Sequence, residues 1–289
     1  MIKKLNWFDY LNYSIMIIVM IIMFYPMYYI FIVSISDGSA VMTGKVTFFP
    51  VNITLATYKV IFEDPYILNA YKNTLVYTSV GVIINLVMTM LCAYPLSRPN
   101  LKGRNSFAAF IMVTMFVNGG LIPLYLLVSS LNMINTIWAL VLPGAINTYN
   151  MIIMRTFFAA IPNEMHESAH IDGASEFNTF INIVLPLSKS VIATIFLFYA
   201  VSHWNSFFPA MIYLNERNKF PMQLILRNIV IQGTNAAQSE LVGGASDFLI
   251  TESTLKYAAI IFATLPILIF YPFIQKYFVK GVMIGSIKG

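Results

Sequence analysis

Apolar residues gather in six long runs along this chain, at 14–34, 74–96, 107–129, 137–158, 181–203 and 255–278. Each has about the 20 residues that a helix needs to cross the hydrocarbon core of a bilayer. The pattern therefore predicts an all-α chain with six transmembrane helices in a single transmembrane domain spanning residues 1–289. The third and fourth runs are divided only by a short turn at Leu131–Thr136. The first is too long for a removable signal peptide and lacks a small-residue cleavage site, so it is expected to be a retained helix. Between the runs lie two long polar stretches, 35–73 and 204–254, and a shorter acidic one at 159–180. In the first, Thr43–Leu55 alternates apolar and polar residues as a strand or cap would, and Tyr58–Tyr71 suits a segment lying along the membrane surface. In the second, Gly233-Thr234-Asn235, Gly243-Gly244 and Ser246-Asp247 punctuate an amphipathic core, and loops of such length rarely lack a function.

Composition agrees: 58% of residues are hydrophobic, 10% are charged and the mean hydropathy is +0.75, far from the balance of soluble domains. The distribution of charge then orients the runs. With the N-terminus cytoplasmic, the inside segments carry Lys3, Lys4, Arg98, Lys102, Arg104, Arg155, Lys189, Lys276, Lys280 and Lys288, whereas the seven outside cations are balanced by seven outside acids. The net charge of +5 falls inside, as the positive-inside rule requires. Both termini and the 159–180 loop are then cytoplasmic. Such a basic balance reflects topology and not nucleic-acid binding, because the cations sit at helix ends and form no single patch.

Residues 166–186, HESAHIDGASEFNTFINIVLP, hold the most specific motif, and it admits two readings. His166, Glu167 and His170 spell H-E-x-x-H, the helical zinc site of metallopeptidases, with Glu176 as a formal third ligand. Alternatively, Glu167-Ser168-Ala169, three residues, Gly173, nine residues, and then Ile183-x-Leu185-Pro186 resembles the EAA loop of ABC-importer membrane subunits. The zinc reading fares worse. The motif lies in a polar loop between runs, His203 is predicted near the opposite face of the bilayer, and Asp172-Gly173 should turn the chain just after His170. A membrane-embedded zinc metallopeptidase stays as the alternative. An ion-coupled carrier is disfavoured, because no carboxylate or lysine lies mid-run to couple a proton.

The chain thus resembles, over nearly its whole length, the permease subunits of bacterial carbohydrate-uptake ABC importers, of the kind typified by the smaller maltose-transporter membrane subunit. Asn118-Gly119-Gly120-Leu121-Ile122-Pro123, Asn135-Thr136-Ile137-Trp138, Met154-Arg155-Thr156-Phe157-Phe158, Trp204-Asn205 and the Gly281–Gly289 tail resemble a subgroup that handles oligosaccharides from complex polysaccharides. Ser168 in place of the first alanine is the one departure within the EAA core. The resemblance implies a type I ABC importer architecture in the bacterial cell membrane. It also implies that Glu167, Ser168, Ala169, Asp172, Gly173, Ile183, Leu185 and Pro186 form a cytoplasmic knob, started by Pro162 and Asn163, that docks on an ATPase. Lys280, Gly281, Met283 and Ile284 in the tail are expected to reach the same ATPase dimer. The implied partners are two ATPase subunits, a homologous second permease (a different chain, with a homodimer as the alternative), an extracytoplasmic solute-binding protein and an oligosaccharide.

No cofactor is expected on this chain, and no catalysis by it. It contains no G-x-x-x-x-G-K-[ST] phosphate loop and no G-x-S-x-G elbow, so ATP and magnesium belong to the partner ATPase. The lone Cys92 excludes an internal disulfide. Polar residues within apolar runs usually face a cavity or another helix. Asn118, the trio Asn147, Tyr149 and Asn150, whose two asparagines are three apart and so expected on one helical face, and the group His203, Trp204 and Asn205 mark the candidate substrate path, with aromatic rings to stack on sugars and amides to bond hydroxyls. The competing reading for the asparagines is interhelical bonding, which suits Asn85 with Thr89 better. For Trp204 it is an interfacial anchor.

Overall fold

The computed structural model describes residues 6–231 and 253–269. These are mostly helical, with no strand among them, and they fall into two compact units: residues 6–68 with 225–231 and 253–266, and residues 69–224.

The first unit is led by α1 (Trp7–Ser34). It begins ahead of position 14 because Asn6 and Asp9 close a capping box, with the Asn6 N–H donating to Asp9 Oδ2 at 2.8 Å. Its 28 residues give about 42 Å of helix. Only Ile32, Val33 and Ser34 are buried, so the remainder presents bare apolar surface of the kind that lipid solvates. Ile32 and Val33 pack with Ala40 of α2 (Gly38–Met42) and with Val46. The alternating stretch 43–55 is not a strand. Single bonds hold it to what precedes it: Asp37 N–H to Val51 O at 3.1 Å, Thr54 N–H to Ile35 O at 2.9 Å, and the Tyr28 hydroxyl to Phe48 O at 2.7 Å. Val46 is buried while Phe48, which would share its face in a strand, is exposed, so the alternation of residue types does not mark one buried face. Tyr58–Tyr71 likewise is not one surface segment. It contains most of α3 (Ala56–Glu63) and the start of α4 (Pro65–Ser97), which begins where the Asp64 carboxylate accepts the Tyr66 N–H at 2.7 Å and proline takes the first helical position. Further along the chain come α13 (Met222–Ile231) and α14 (Ser253–Ile269), the latter burying Ala258, Ala259 and Ala263.

The second unit is organised on α4, whose 33 residues measure about 50 Å, longer than the roughly 30 Å hydrocarbon layer. Three of the predicted continuous helices are interrupted. The run 107–129 divides into α5 (Arg104–Val113) and α6 (Leu121–Ser130), because Asn118 Oδ1 accepts the Gly120 N–H at 2.9 Å and Gly120 takes φ +87°, a turn that a helix cannot contain. The run 137–158 divides into α7 (Trp138–Val141), a 3-10 turn with Pro143 in it, and α8 (Thr148–Ala159), which Asn147 caps. The run 181–203 does not start a straight helix. α10 (Glu176–Leu187) bends by 82° into α11 (Lys189–Trp204) at Ser188, which has φ −101° and ψ 13°. Pro186 lacks the N–H that would bond the turn before it and its ring crowds that turn's carbonyl, and that turn is widened into a π-helical stretch, Phe180–Val184. Among the described residues, α1 and α4 are each long and apolar enough to cross a membrane, and the bent pair α10–α11 qualifies if taken as one span.

Beyond α11, α12 (Phe208–Tyr213) leads to a loop laced onto the first turns of α4. Asn69 and Asn73 donate to Asn218 O, Tyr77 donates to Lys219 O at 2.9 Å, and Thr74 Oγ1 accepts the Met222 N–H at 2.8 Å. Lys219 also bonds Glu216 at 3.0 Å and Asn135 O at 3.2 Å. The core of this unit joins Val82, Ala93 and Tyr94 of α4, Met151, Met154 and Phe158 of α8, Phe180 and Val184 of α10, and Val191, Ile195 and Tyr199 of α11.

Candidate functional site

The 159–180 loop folds as a helical knob. α9 (Asn163–Ile171) has Pro162 as its N-cap, with Asn163 already helical. It ends in a Schellman turn: Gly173 N–H bonds His170 O at 3.1 Å and Ala174 N–H bonds Ala169 O at 2.9 Å, with Gly173 at φ +78°. A Cβ on Gly173 would meet nothing within 4 Å, so the left-handed backbone alone calls for glycine here. Ser175 caps α10 by accepting the Asn178 N–H at 3.2 Å. The outer surface of the knob exposes Glu167, Ser168, Asp172, Gly173 and Pro186 together with large apolar side chains, Ile171 at 85% and Phe177 at 61%. Ala169 is buried, while Ile183 and Leu185 are half-buried beside the core.

The inner surface is built around Tyr94, which sequence reasoning did not single out. Its ring lies 4.7 Å from that of Phe180, 6.4 Å from Phe158 and 6.5 Å from His166. Its hydroxyl donates to Glu176 Oε2 at 2.7 Å, and Glu176 Oε1 is 3.0 Å from His170 Nε2. The Tyr94 bond, then those of His170 and the nearby Arg98 charge, hold the Glu176 carboxyl below its ordinary range against a partial desolvation. His166 is buried at 2% exposure with no hydrogen-bond partner on either ring nitrogen, and its burial, with Arg98 close by, lowers its affinity for a proton. The H-E-x-x-H spacing thus places one imidazole inward on aromatic rings and the other on Glu176. Among the described residues, no three His, Cys, Asp or Glu side chains are grouped as metal ligands.

The substrate-path candidates do not form one group. Asn147, Tyr149, Asn150 and His203 line a cavity of about 680 Å³, together with Asn85, Phe198, Tyr199, Ser202 and Tyr213 among others. Asn147 and Asn150 were expected on one helical face. Instead Asn147 precedes the helix, and its Oδ1 accepts the Asn150 N–H at 3.1 Å. Asn118, Trp204 and Asn205 are not among the lining residues. Asn118 makes the turn between α5 and α6, and Asn205 bonds back to Val201 O at 2.9 Å. Trp204 is buried, with its ring edge-on to that of Tyr71 at 5.8 Å. Asn85 combines both of its expected alternatives. It lines the cavity and also ties elements together, with Nδ2 donating to Gly144 O at 2.6 Å and Oδ1 bonded to His203 Nε2 at 2.5 Å. Thr89 and Tyr199 share a bond of 2.7 Å, and Tyr199 also accepts the Asn147 N–H at 3.1 Å. Gly81 makes room for His203, since a Cβ there would fall 2.6 Å from the imidazole. The only sequence signal for this was a glycine inside an apolar run. The tail residues Lys280, Gly281, Met283 and Ile284 lie outside the described residues, as does most of 204–254 beyond Ile231.

A mostly helical chain with bare apolar helix surface, broken helices lining a cavity of apolar, amide and aromatic side chains, and a helical knob beside them has the fold of the type I ABC importer permeases. The chain belongs to the family of binding-protein-dependent transport system inner membrane components, whose pattern it matches over residues 82–284. It is 40% identical over 288 residues to the polygalacturonan/rhamnogalacturonan transport system permease protein YtcP of Bacillus subtilis strain 168, covering 99% of this chain and all of that one. It is 43% identical over 265 residues to protein LplC of the same organism, covering 91% of this chain and 89% of LplC. Among solved structures, it is similar to a chain of a bacterial ABC transporter involved in the import of the acidic polysaccharide alginate, with a TM-score of 0.89 and 34% identity over 94% of this chain and 96% of that one.

Proposed function

We propose that this chain is one of two different permease subunits of an ATP-driven oligosaccharide importer. In this reading it crosses the cell membrane six times with both termini in the cytoplasm, the 159–180 knob engages one of two ATPase subunits, and the extracytoplasmic loops receive a solute-binding protein. The chain itself is non-catalytic, and ATP and magnesium sit on the ATPases. The observation that carries the reading is the knob. Its inner face is fixed on the core by Ala169, Thr179, Phe180 and Val184, while Glu167 stands exposed among Ile171 and Phe177, a surface made for a protein partner more than for water. The relatives' named cargoes, polygalacturonan and alginate, support an acidic oligosaccharide, and no Asp or Glu is among the cavity-lining residues to oppose its charge.

Glu167→Ala in the purified complex tests the coupling role. ATP hydrolysis is expected to persist while uptake into proteoliposomes falls at least tenfold, because a charged contact at the docking surface is lost. Wild-type uptake would remove Glu167 from the coupling contact.

A further inference from the structure

The knob can transmit force only if its inner face is tied to the transmembrane helices, and the apolar packing that fixes it on the core is not directional. The buried His166 ring has no polar partner, a cost that a face evolved purely for static stability would avoid. One directional connection crosses this face among the bonds described: the Tyr94 hydroxyl to Glu176 Oε2 at 2.7 Å, continued by Glu176 Oε1 to His170 Nε2 at 3.0 Å. Its three members sit on three different helices. Tyr94 is near the end of α4, the helix that carries Asn85 at the cavity; Glu176 opens α10; and His170 is in the last turn of α9, immediately before the Gly173 turn.

We propose that Tyr94, Glu176 and His170 are positioning residues that form a strut, through which movement of the docked knob is delivered to α4 and so to the cavity. This rests on the coupling reading of the knob given above. The Tyr94 ring is wedged between Phe180 and Phe158, so the hydroxyl cannot swing away without moving α4 itself. A charge-assisted bond to a carboxylate is also stiffer and more directional than apolar contact. Displacement of α9 pulls on Glu176 through His170, and Glu176 pulls on Tyr94. Glu167 acts on the outer face, and the strut leads from the half-exposed His170 and Glu176 side chains to the buried Tyr94 on α4.

The test is Tyr94→Phe in the full complex, reconstituted with its ATPases and with its binding protein charged from a mixed digest of polygalacturonate and alginate. Phenylalanine keeps all three ring contacts and removes only the hydroxyl. Sugar taken up per ATP hydrolysed is expected to fall about fivefold, with ATPase subunits still co-purifying in wild-type amounts. Glu176→Ala should behave like Tyr94→Phe, whereas Glu176→Gln, which keeps an acceptor for the hydroxyl, should recover most of the ratio. A wild-type ratio in both Tyr94→Phe and Glu176→Ala overturns the strut. So does loss of ATPase co-purification in both, since that marks a merely structural support. Glu167→Ala run in parallel separates the two ideas. If it uncouples while Tyr94→Phe does not, the strut alone falls; if it too is fully coupled, the reading of the knob falls with it.

Discussion

Gly81→Ala should be among the most damaging single-methyl changes in the chain. Gly81 lies in the middle of α4, where alanine is ordinarily better than glycine by about 0.5–1 kcal/mol. Here the added Cβ would stand 2.6 Å from His203 Cε1 and Nε2 and 2.9 Å from Cδ2, so three ring atoms must retreat together. The ring is held in place because its Nε2 bonds Asn85 Oδ1 at 2.5 Å. Asn85 cannot follow it, being 1% exposed and bonded on its other side to Gly144 O at 2.6 Å. Forcing the ring away costs about 1–3 kcal/mol in overpacking. Leaving the buried Asn85 oxygen without a partner costs about another 1–3 kcal/mol. The helix-propensity gain offsets part of this, for a net loss of about 1–5 kcal/mol by those same principles. The assay is thermal unfolding of the detergent-solubilised permease, in a double-mutant cycle with His203→Ala. His203→Ala alone destabilises by removing the partner of Asn85. In that background Gly81→Ala should cost nothing, or stabilise slightly, because the clash has gone. A Gly81→Ala variant as stable as wild type, or one whose loss is undiminished in the His203→Ala background, would refute the reasoning.

Gly173→Ala should cost about 1–2 kcal/mol of knob stability through the positive φ alone. Gly173→Val should cost more, and any loss of ATPase assembly beyond that, measured by co-purification, reports a close approach of the partner. The neutral ring of His166 is favoured in the folded knob, so the unfolded chain takes up the proton first as pH drops through about 6.5. Stability from this group is therefore complete above that value and is lost below it. Protection factors over 163–187, taken against the intrinsic exchange rate at each pH, should fall between pH 7.5 and 5.5, and His166→Phe should abolish that part of the difference. Truncation after Phe278 should lower binding-protein-stimulated ATPase activity without stopping membrane insertion; full stimulation in the truncated complex would remove the tail from the ATPase contact.

The knob was legible in the sequence because its determinants are local. A helix start at Pro162-Asn163, a turn at Asp172-Gly173 and a proline at 186 each act within a few residues, although the cap position falls on Pro162 and not on the Asn163 expected. Two breaks in the apolar runs were locally encoded as well, by Asn118-Gly119-Gly120 and Pro143, but hydropathy averages over such residues. A run of 23 apolar positions reads the same whether or not one carbonyl in its middle is turned away from its helix. Periodicity also failed at 43–55, where Val46 alone is fully buried and Phe48, Phe49, Ile53 and Leu55 are exposed. Alternation of residue type does not by itself make one face buried, and a strand needs in addition a neighbour with free backbone groups.

The cavity was half legible for a physical reason. A polar residue in an apolar run must be satisfied by something, and that requirement marked Asn147, Asn150 and His203 correctly as paired or cavity-lining. It does not say which. Asn85 shows that the two roles are not exclusive: its amide bridges Gly144 and His203 across three elements while its surface faces the cavity. The residues that complete the arrangement, Gly81 and Tyr199, carry no local signal, because each is defined by the side chain it receives from a helix more than a hundred positions away or by the backbone it caps. Trp204 marks the opposite limit. An aromatic at the end of an apolar run reads as an interfacial anchor or a sugar platform, yet Tyr71 covers it, and only the packing of α4 against the end of α11 determines that. A side chain that terminates a helix is assigned by what the chain brings back to it, and for this permease that information lies in the loop from Ser206 to Met222, which returns to the start of α4.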